Sequence, residues 1–138
     1  MVCISSGQIL LPIVLLGVIA AGGVYSAASA AFTPSELSKQ IKQGSSNLIF
    51  CSEDVKDVTI KAAKECGVPL NRVLVINSRK GEWGFRSVEG GQSCLGGKVM
   101  LEWEKITDKK KLDQSLICLL YSSGTTGVPK GWWLIGML

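Results

Sequence analysis

The sequence predicts an α/β fold in which a parallel sheet is flanked by helices. Short apolar runs typical of buried strands alternate with helical patterns between residues 23 and 76. A further apolar run, residues 116–120, leads directly into a segment rich in glycine and hydroxyl residues. Strand, helix, strand, helix, strand in this order implies parallel βαβ units with right-handed crossovers. We therefore expect part of a Rossmann-like parallel sheet.

The first 35 residues carry no charged side chain, and residues 9–21 are almost entirely apolar. This segment predicts a buried helix that leads into a strand over residues 23–27. A secretory signal with Ala28-Ser29-Ala30 as cleavage site, or a membrane anchor over residues 9–31, is the alternative. Two features disfavour it. No Lys or Arg precedes the apolar run, and Pro12 and Gly22 leave only about ten strongly apolar residues between them.

A second helix is marked by local signals at both ends. Thr33 is the predicted N-cap, Pro34 takes the first helical position, and Glu36 completes a capping box. Gly44 is expected to end this helix. Residues 48–51 then form a short apolar run that predicts a buried strand.

A third helix follows Ser52, with apolar residues at helical spacing at Val55, Val58, Ala62 and Cys66. Gly67 ends it, and the β-branched run 73–76 predicts the next parallel strand. Residues 77–115 interrupt this alternation with many glycines and charges. We interpret them as a long surface excursion with a short helix near residues 108–113.

The candidate site is the polar segment directly after residues 116–120. Glycines let the backbone approach a ligand closely, hydroxyl groups donate hydrogen bonds, and a lysine supplies positive charge, so the segment suits phosphate. The pattern differs from the common P-loop because Pro129 precedes Lys130 and Gly131 follows it. The predicted binding residues are Ser122, Ser123, Gly124, Thr125, Thr126, Gly127 and Lys130.

The string from Tyr121 to Gly131 resembles the phosphate-binding signature of the adenylate-forming superfamily, which includes acyl-CoA and 4-coumarate-CoA ligases, luciferases and nonribosomal-peptide adenylation domains. Residues 11–26 and 32–37 are similar to the part of acyl-CoA ligase-like members that precedes this signature. The resemblance covers most of residues 2–131. It identifies the chain as part of the N-terminal domain of such an enzyme.

The resemblance implies an ATP-dependent activity. In the family, the loop holds the β- and γ-phosphates of ATP while a substrate carboxylate attacks the α-phosphate, and coenzyme A then takes the acyl group. Carried over, Ser122, Ser123, Thr125 and Thr126 supply hydroxyl donors, and Gly124 and Gly127 keep backbone N–H groups accessible. Lys130 offsets phosphate charge. Magnesium accompanies the nucleotide.

The resemblance ends after Gly131, where family members continue with a short apolar segment and a Ser/Thr-His pair. We expect residues 1–131 to form a partial AMP-binding subdomain and residues 132–138 a divergent apolar tail. A truncated chain of this kind is expected to be inactive and poorly soluble alone. A non-catalytic truncated product with weak nucleotide binding is therefore the alternative to a ligase.

Composition excludes several other functions. The sequence contains no histidine, which removes histidine general bases and histidine metal ligands. Its five cysteines show no CxxC spacing, so they indicate neither a zinc site nor a disulfide framework and favour a reducing compartment, the cytoplasm. The net charge of +4 includes one lysine run, residues 109–111, without interleaved aromatics. Such a run is typical of a solvated surface, so no nucleic-acid partner is expected.

Overall fold

The computed structural model describes residues 1–79, 82–90, 107–122 and 130–135. Within these ranges the chain forms one seven-stranded sheet and four α-helices. The strands are β1 Val2–Ile4, β2 Tyr25–Ala28, β3 Ile49–Ser52, β4 Val73–Arg79, β5 Glu82–Ser87, β6 Leu116–Ser122 and β7 Lys130–Ile135. The helices are α1 Leu11–Ala20, α2 Pro34–Gln43, α3 Lys56–Cys66 and α4 Lys109–Gln114.

The strand order is β5-β4-β3-β1-β2-β6-β7. Strands β4, β3, β1, β2 and β6 are parallel to their neighbours, which confirms the predicted parallel α/β fold. Strand β5 pairs with β4, and β7 pairs with β6, both in antiparallel orientation. The sequence did not predict β1, β5 or β7, and β1 lies in the middle of the sheet.

The two faces of the sheet are covered by different helices. Helices α2 and α3 pack on one face, where Leu37 and Ile41 of α2 and Ala62 of α3 belong to the same buried cluster as alternate residues of the central strands. Helix α1 covers the other face through Val14, together with Leu10 directly before the helix. Helices on both faces of a parallel sheet are the expected arrangement for right-handed βαβ units.

Helix α2 begins and ends as predicted. The Thr33 backbone N–H donates to the Glu36 carboxylate at 2.8 Å, and the Glu36 backbone N–H donates to Thr33 Oγ1 at 3.4 Å. These reciprocal bonds form the expected capping box, and Gly44 is the C-cap. Helix α3 ends at Gly67, whose φ of 70° is the left-handed conformation that glycine favours.

Helix α1 confirms the predicted helix but not its predicted burial. Val14 is the buried residue of this helix, whereas Ile13 and Leu16 are 59% and 62% exposed. One side of the helix packs on the sheet, and the other side is exposed. None of the helices in the described ranges is both long and apolar enough to cross a bilayer.

The predicted surface excursion over residues 77–115 is wrong in its first part. Strand β4 continues to Arg79, and β5 pairs with it from Leu74 and Ser87 to Arg79 and Glu82. The short helix predicted near residues 108–113 is present as α4, and the Asp108 carboxylate accepts from the Lys110 backbone N–H at 2.9 Å. Residues 80, 81 and 91–106 lie outside the described ranges.

Candidate phosphate site at the carboxyl edge of the sheet

The candidate phosphate segment begins where β6 ends. Strand β6 is parallel to β2, with Tyr25 opposite Cys118 and Ser26 opposite Leu119. Continuing this register places Ser122 one residue beyond the end of β2, at the edge where the other parallel strands also end. Open α/β sheets bind their ligands outside this carboxyl edge. The sequence-predicted site therefore starts at the edge where such a fold presents ligands.

The other end of the segment is also fixed. Strand β7 runs antiparallel to β6, and Lys130 is the Cα partner of Ser122. The intervening residues 123–129 thus connect two paired strands. Of the predicted binding residues, Ser122 and Lys130 are brought together by this pairing, whereas Ser123, Gly124, Thr125, Thr126 and Gly127 lie outside the described residues. Their role in binding stays a prediction.

The residue types of this segment are those that the sequence analysis predicts to suit phosphate. Successive backbone N–H groups in a turn form anion-binding concavities, and a lysine adds a compact positive charge. The described residues contain no group of three or more potential metal-ligating side chains. Magnesium bound with nucleotides commonly takes one or two carboxylates and the phosphates themselves.

A second polar cluster lies at the same edge, between β1 and β3. The connection after β1 leads to α1 on one face, and the connection after β3 leads to α3 on the other, so the two strands form the topological switch point of the sheet. The Ser6 backbone N–H donates to Ser52 Oγ at 3.4 Å across this point. Ser78 Oγ, near the end of β4, donates to Gln8 Oε1.

Asp54 completes the switch-point cluster. Hydrogen bonds from the Ser52 side chain, and to a smaller degree from the Ser6 side chain, lower the pKa of the Asp54 carboxyl below its ordinary value. The cluster is thus anionic at neutral pH, and its hydrogen bonds hold the β1 and β3 connections together. Strand β2 lies between β1 and β6, so two to three strand spacings, roughly 10–14 Å, separate the cluster from the start of the candidate segment.

The strands next to this edge carry cysteine and tyrosine side chains that are uncharged at neutral pH. Burial raises the pKa of the Tyr25 hydroxyl, which is hydrogen-bonded to Cys3, and Cys118 lies opposite Tyr25 on β6. Burial also raises the pKa of the Cys3 and Cys118 thiols. These groups act as packing and provide no charge or nucleophile to the site at neutral pH.

Sequence reasoning missed the switch-point cluster. Ser5 and Ser6 directly follow the short run Val2–Ile4, and Ser52 ends an apolar run. Polar residues at the ends of two apolar runs were the available signal. The three-residue β1 gave no periodicity that would identify it as a strand, so this signal could not be placed at a sheet edge.

The sheet order and the parallel centre define an open α/β protein of the type that binds ligands at the carboxyl edge of its strands. The family model described as AMP-binding enzyme matches residues 6–134, which is most of the chain. The chain belongs to the AMP-binding enzyme family.

In sequence, the chain is similar to acyl-CoA synthetases. It is 47% identical over 129 residues to an Emericella nidulans protein named "Putative acyl-coenzyme A synthetase", a match that covers 94% of this chain and 23% of the relative. It is 34% identical over 128 residues to the acyl-CoA synthetase ACTT5 of Alternaria alternata, covering 91% and 22%. The chain thus spans about a quarter of the length of these relatives.

Solved structures agree on the fold. A red-emitting luciferase from Phrixothrix hirtus superposes with a TM-score of 0.71 at 20% identity, over 96% of this chain and 25% of the luciferase. ATP-bound MatB from Rhodopseudomonas palustris superposes with a TM-score of 0.63 at 22% identity, over 97% and 24%. These likenesses show that the chain has the fold of about a quarter of each of these larger proteins.

Proposed function

We propose that this chain supplies the triphosphate-binding part of an ATP-dependent acyl- or aryl-CoA ligase, which activates a carboxylic acid as an acyl-adenylate. The observation that carries the proposal is the AMP-binding family match over residues 6–134, which includes the complete string from Tyr121 to Gly131. The pairing of Ser122 with Lys130 at the carboxyl edge supports it, because that edge is where this class of fold binds ligands.

Each residue has a proposed role in holding the nucleotide. The hydroxyl groups of Ser122, Ser123, Thr125 and Thr126 donate to phosphate oxygens, while Gly124 and Gly127 leave backbone N–H groups open to the ligand. The Lys130 ammonium offsets the charge of the terminal phosphates. When bound, ATP supplies the electrophilic α-phosphate and pyrophosphate as the leaving group. Preorganised donors would stabilise the charge that grows on that pyrophosphate.

The complete reaction needs more than these residues. The carboxylic acid, magnesium and coenzyme A are proposed as partners of the whole enzyme, because this chain spans 23% of its 47% identical relative. Adenylation also requires the carboxylate to be positioned beside the α-phosphate, and gripping the phosphates does not achieve this. The free thiols of Cys51 and Cys66 are compatible with a reducing compartment, so we propose the cytoplasm as its location.

Equilibrium binding tests the proposal directly. Titration of the 138-residue chain with ATP is expected to show weak binding that Lys130→Ala reduces roughly tenfold, since one charge contact to phosphate is removed. Lys109→Ala is the matched control, because Lys109 is an exposed lysine on α4 away from the segment. Equal affinities for both variants would contradict the proposed role of Lys130.

A second candidate function is nucleotide binding without catalysis. This alternative concerns the 138-residue chain by itself, which covers 23% of its 47% identical relative. ATP-pyrophosphate exchange with a panel of aromatic and fatty acids separates the two functions. Exchange above background supports a ligase, whereas ATP binding without exchange by any acid supports the non-catalytic alternative.

A further inference from the structure

Strand β5 forms one end of the sheet. Within the described residues its strand neighbour is β4, so the other side of β5 is an open edge. An open edge presents backbone N–H and C=O groups that can pair with a further strand. The outward side of Glu82–Ser87 is called here the β5 edge.

The ladder between β4 and β5 determines which backbone groups face the β5 edge. The Val88 N–H donates to the Val73 carbonyl at 2.9 Å, one step beyond the pair of Leu74 and Ser87. Hydrogen-bonded pairs alternate with non-hydrogen-bonded pairs along an antiparallel ladder. Counting from Val88, residues 86, 84 and 82 are therefore bonded to β4. The backbone N–H and C=O groups of residues 83, 85 and 87 face outward.

The sequence of the β5 edge is complementary to itself. When two copies of the strand run antiparallel with Gly84 opposite Gly84, Glu82 lies opposite Arg86 of the second copy. The two-fold symmetry gives this pair of opposite charges twice. Opposite charges at directly opposed positions stabilise an antiparallel pair, and like charges destabilise it. The same register places Trp83 opposite Phe85 of the second copy, and opposed aromatic residues are also a favourable pair.

This register agrees with the hydrogen bonding that β4 leaves open. It makes residues 83 and 85 of the two copies hydrogen-bonded partners, and their backbone groups are the ones that face outward. Gly84 lies at the symmetry axis as a non-hydrogen-bonded pair, where the two Cα atoms are closest and the lack of a side chain allows the approach. A register centred on Phe85 keeps the same hydrogen-bonding phase but places Arg86 opposite Gly84, which removes both ion pairs.

We propose that the β5 edge is a dimerisation surface, at which two copies of the chain pair antiparallel about Gly84 and join their sheets. The strand is prepared for this contact, because the Phe85 ring packs against Phe50 with ring centroids 5.3 Å apart, and Arg86 is exposed. A second copy suits the edge better than an unrelated strand, since the chain itself carries the complementary charges in the required order. Six paired residues are about 20 Å long, so the interface is small and the dimer is weak.

Amide hydrogen exchange in the native chain tests the proposal without any substitution. Exchange is resolved to single residues at chain concentrations from roughly 10 μM to 1 mM, a range suited to a weak dimer. The amides of residues 84 and 86 should be protected at every concentration because they are bonded to β4. The amides of residues 83 and 85 should exchange fast in the dilute chain and become protected as the concentration rises, in step with a dimer in sedimentation velocity.

Two results of this measurement would overturn the proposal. The first is exchange at residues 83 and 85 that is independent of concentration, because the edge is then either unused or occupied by another segment of the same chain. The second is concentration-dependent protection of β7 instead of β5, which would assign the contact to the opposite end of the sheet.

Charge reversal tests the register. Arg86→Glu makes the opposed charges both negative, and Glu82→Arg makes them both positive, so each variant alone should dimerise roughly tenfold more weakly than the native chain. An equimolar mixture of the two variants should recover the native affinity, because the acidic strand of one then opposes the basic strand of the other. Glu89→Arg, at an exposed position in the turn after β5, is the control and should leave the dimer unchanged. Native affinity for either variant alone, or a mixture that stays monomeric, would overturn the proposed pairing.

Discussion

Ser122 and Lys130 are directly opposed Cα partners in the antiparallel pair of β6 and β7. This pairing closes residues 123–129 into a connection between two strands at the carboxyl edge of the sheet. The two ends of the candidate segment, Ser122 and Lys130, are therefore held together by the pairing of the two strands.

The capping box of α2 gives the first prediction. Thr33→Ala removes the side chain that accepts from the Glu36 backbone N–H, and we expect it to lower the free energy of unfolding by about 0.5–2 kcal/mol. Urea denaturation followed by circular dichroism measures the change. Ser35→Ala is the control, since Ser35 is an exposed residue in the same turn. An equal effect of both substitutions would show that the cap does not stabilise the helix.

The same box predicts a pH dependence. Hydrogen bonds from the Thr33 backbone N–H and side chain lower the pKa of Glu36 below its ordinary value. A carboxyl group whose pKa is lower in the folded state contributes stability above its unfolded pKa, and this contribution is lost as the pH falls through the folded pKa. The difference in unfolding free energy between the native chain and Glu36→Gln should therefore shrink below about pH 4. A difference that persists at pH 2 would refute this role.

The buried amide of Gln40 is expected to stabilise the fold. Its Nε2 donates to Ser26 Oγ and to the Ala27 carbonyl, each at 2.8 Å, and so joins α2 to β2. Its Oε1 is buried without a hydrogen-bond partner among the described residues. Gln40→Leu leaves the two acceptors on β2 unsatisfied, and we expect it to lower the unfolding free energy by about 1–3 kcal/mol.

The control for this substitution is Gln43→Leu, an exposed glutamine three residues further along α2. Its effect should stay within about 0.5 kcal/mol of the native chain. Chemical denaturation of both variants makes the comparison. If Gln40→Leu proved as stable as Gln43→Leu, the amide would not link the helix to the strand.

The burial of Cys51 predicts that its thiol is alkylated in the unfolded chain and not in the folded chain. Its side chain is fully buried, and this burial is the main cause that raises the pKa of its thiol to about 12. Because the folded pKa lies above the unfolded one, the neutral thiol favours folding below the unfolded pKa, and this contribution is lost as the pH rises toward the folded value. At pH 8 we expect iodoacetamide to modify Cys51 only after urea unfolds the chain, as read by peptide mass spectrometry. Modification of Cys51 in the native chain at the rate of the unfolded chain would contradict the packing of β3.

Local signals explain which parts of the fold the sequence could predict. The caps of α2 depend on residues within one turn, namely Thr33, Glu36 and Gly44, and they were identified correctly. Strands β3 and β4 carry continuous apolar runs and were also found, although β4 extends further than its apolar run. These features are readable because neighbouring residues determine them.

Non-local pairing explains what the sequence could not predict. Strand β1 has only three residues, and it is a strand because both β2 and β3 pair with it. Strand β5 exists because the polar end of β4, from Asn77 to Arg79, continues the ladder with Glu82, Trp83 and Gly84. The burial of α1 was overestimated because an apolar sequence does not say which of its sides has a partner. For the candidate site, composition and resemblance predicted the ligand, whereas the pairing of Ser122 with Lys130 came only from the structure.

The most direct test of the central claim is an amide chemical-shift titration of the chain with inorganic pyrophosphate. We expect the largest shifts on the backbone N–H groups of residues 123–127. Lys130→Ala should reduce these shifts at the same pyrophosphate concentration, and Lys109→Ala should leave them in place. Shifts spread over the exposed lysines of α4, or shifts in residues 123–127 that are the same with Lys130→Ala, would contradict the claim.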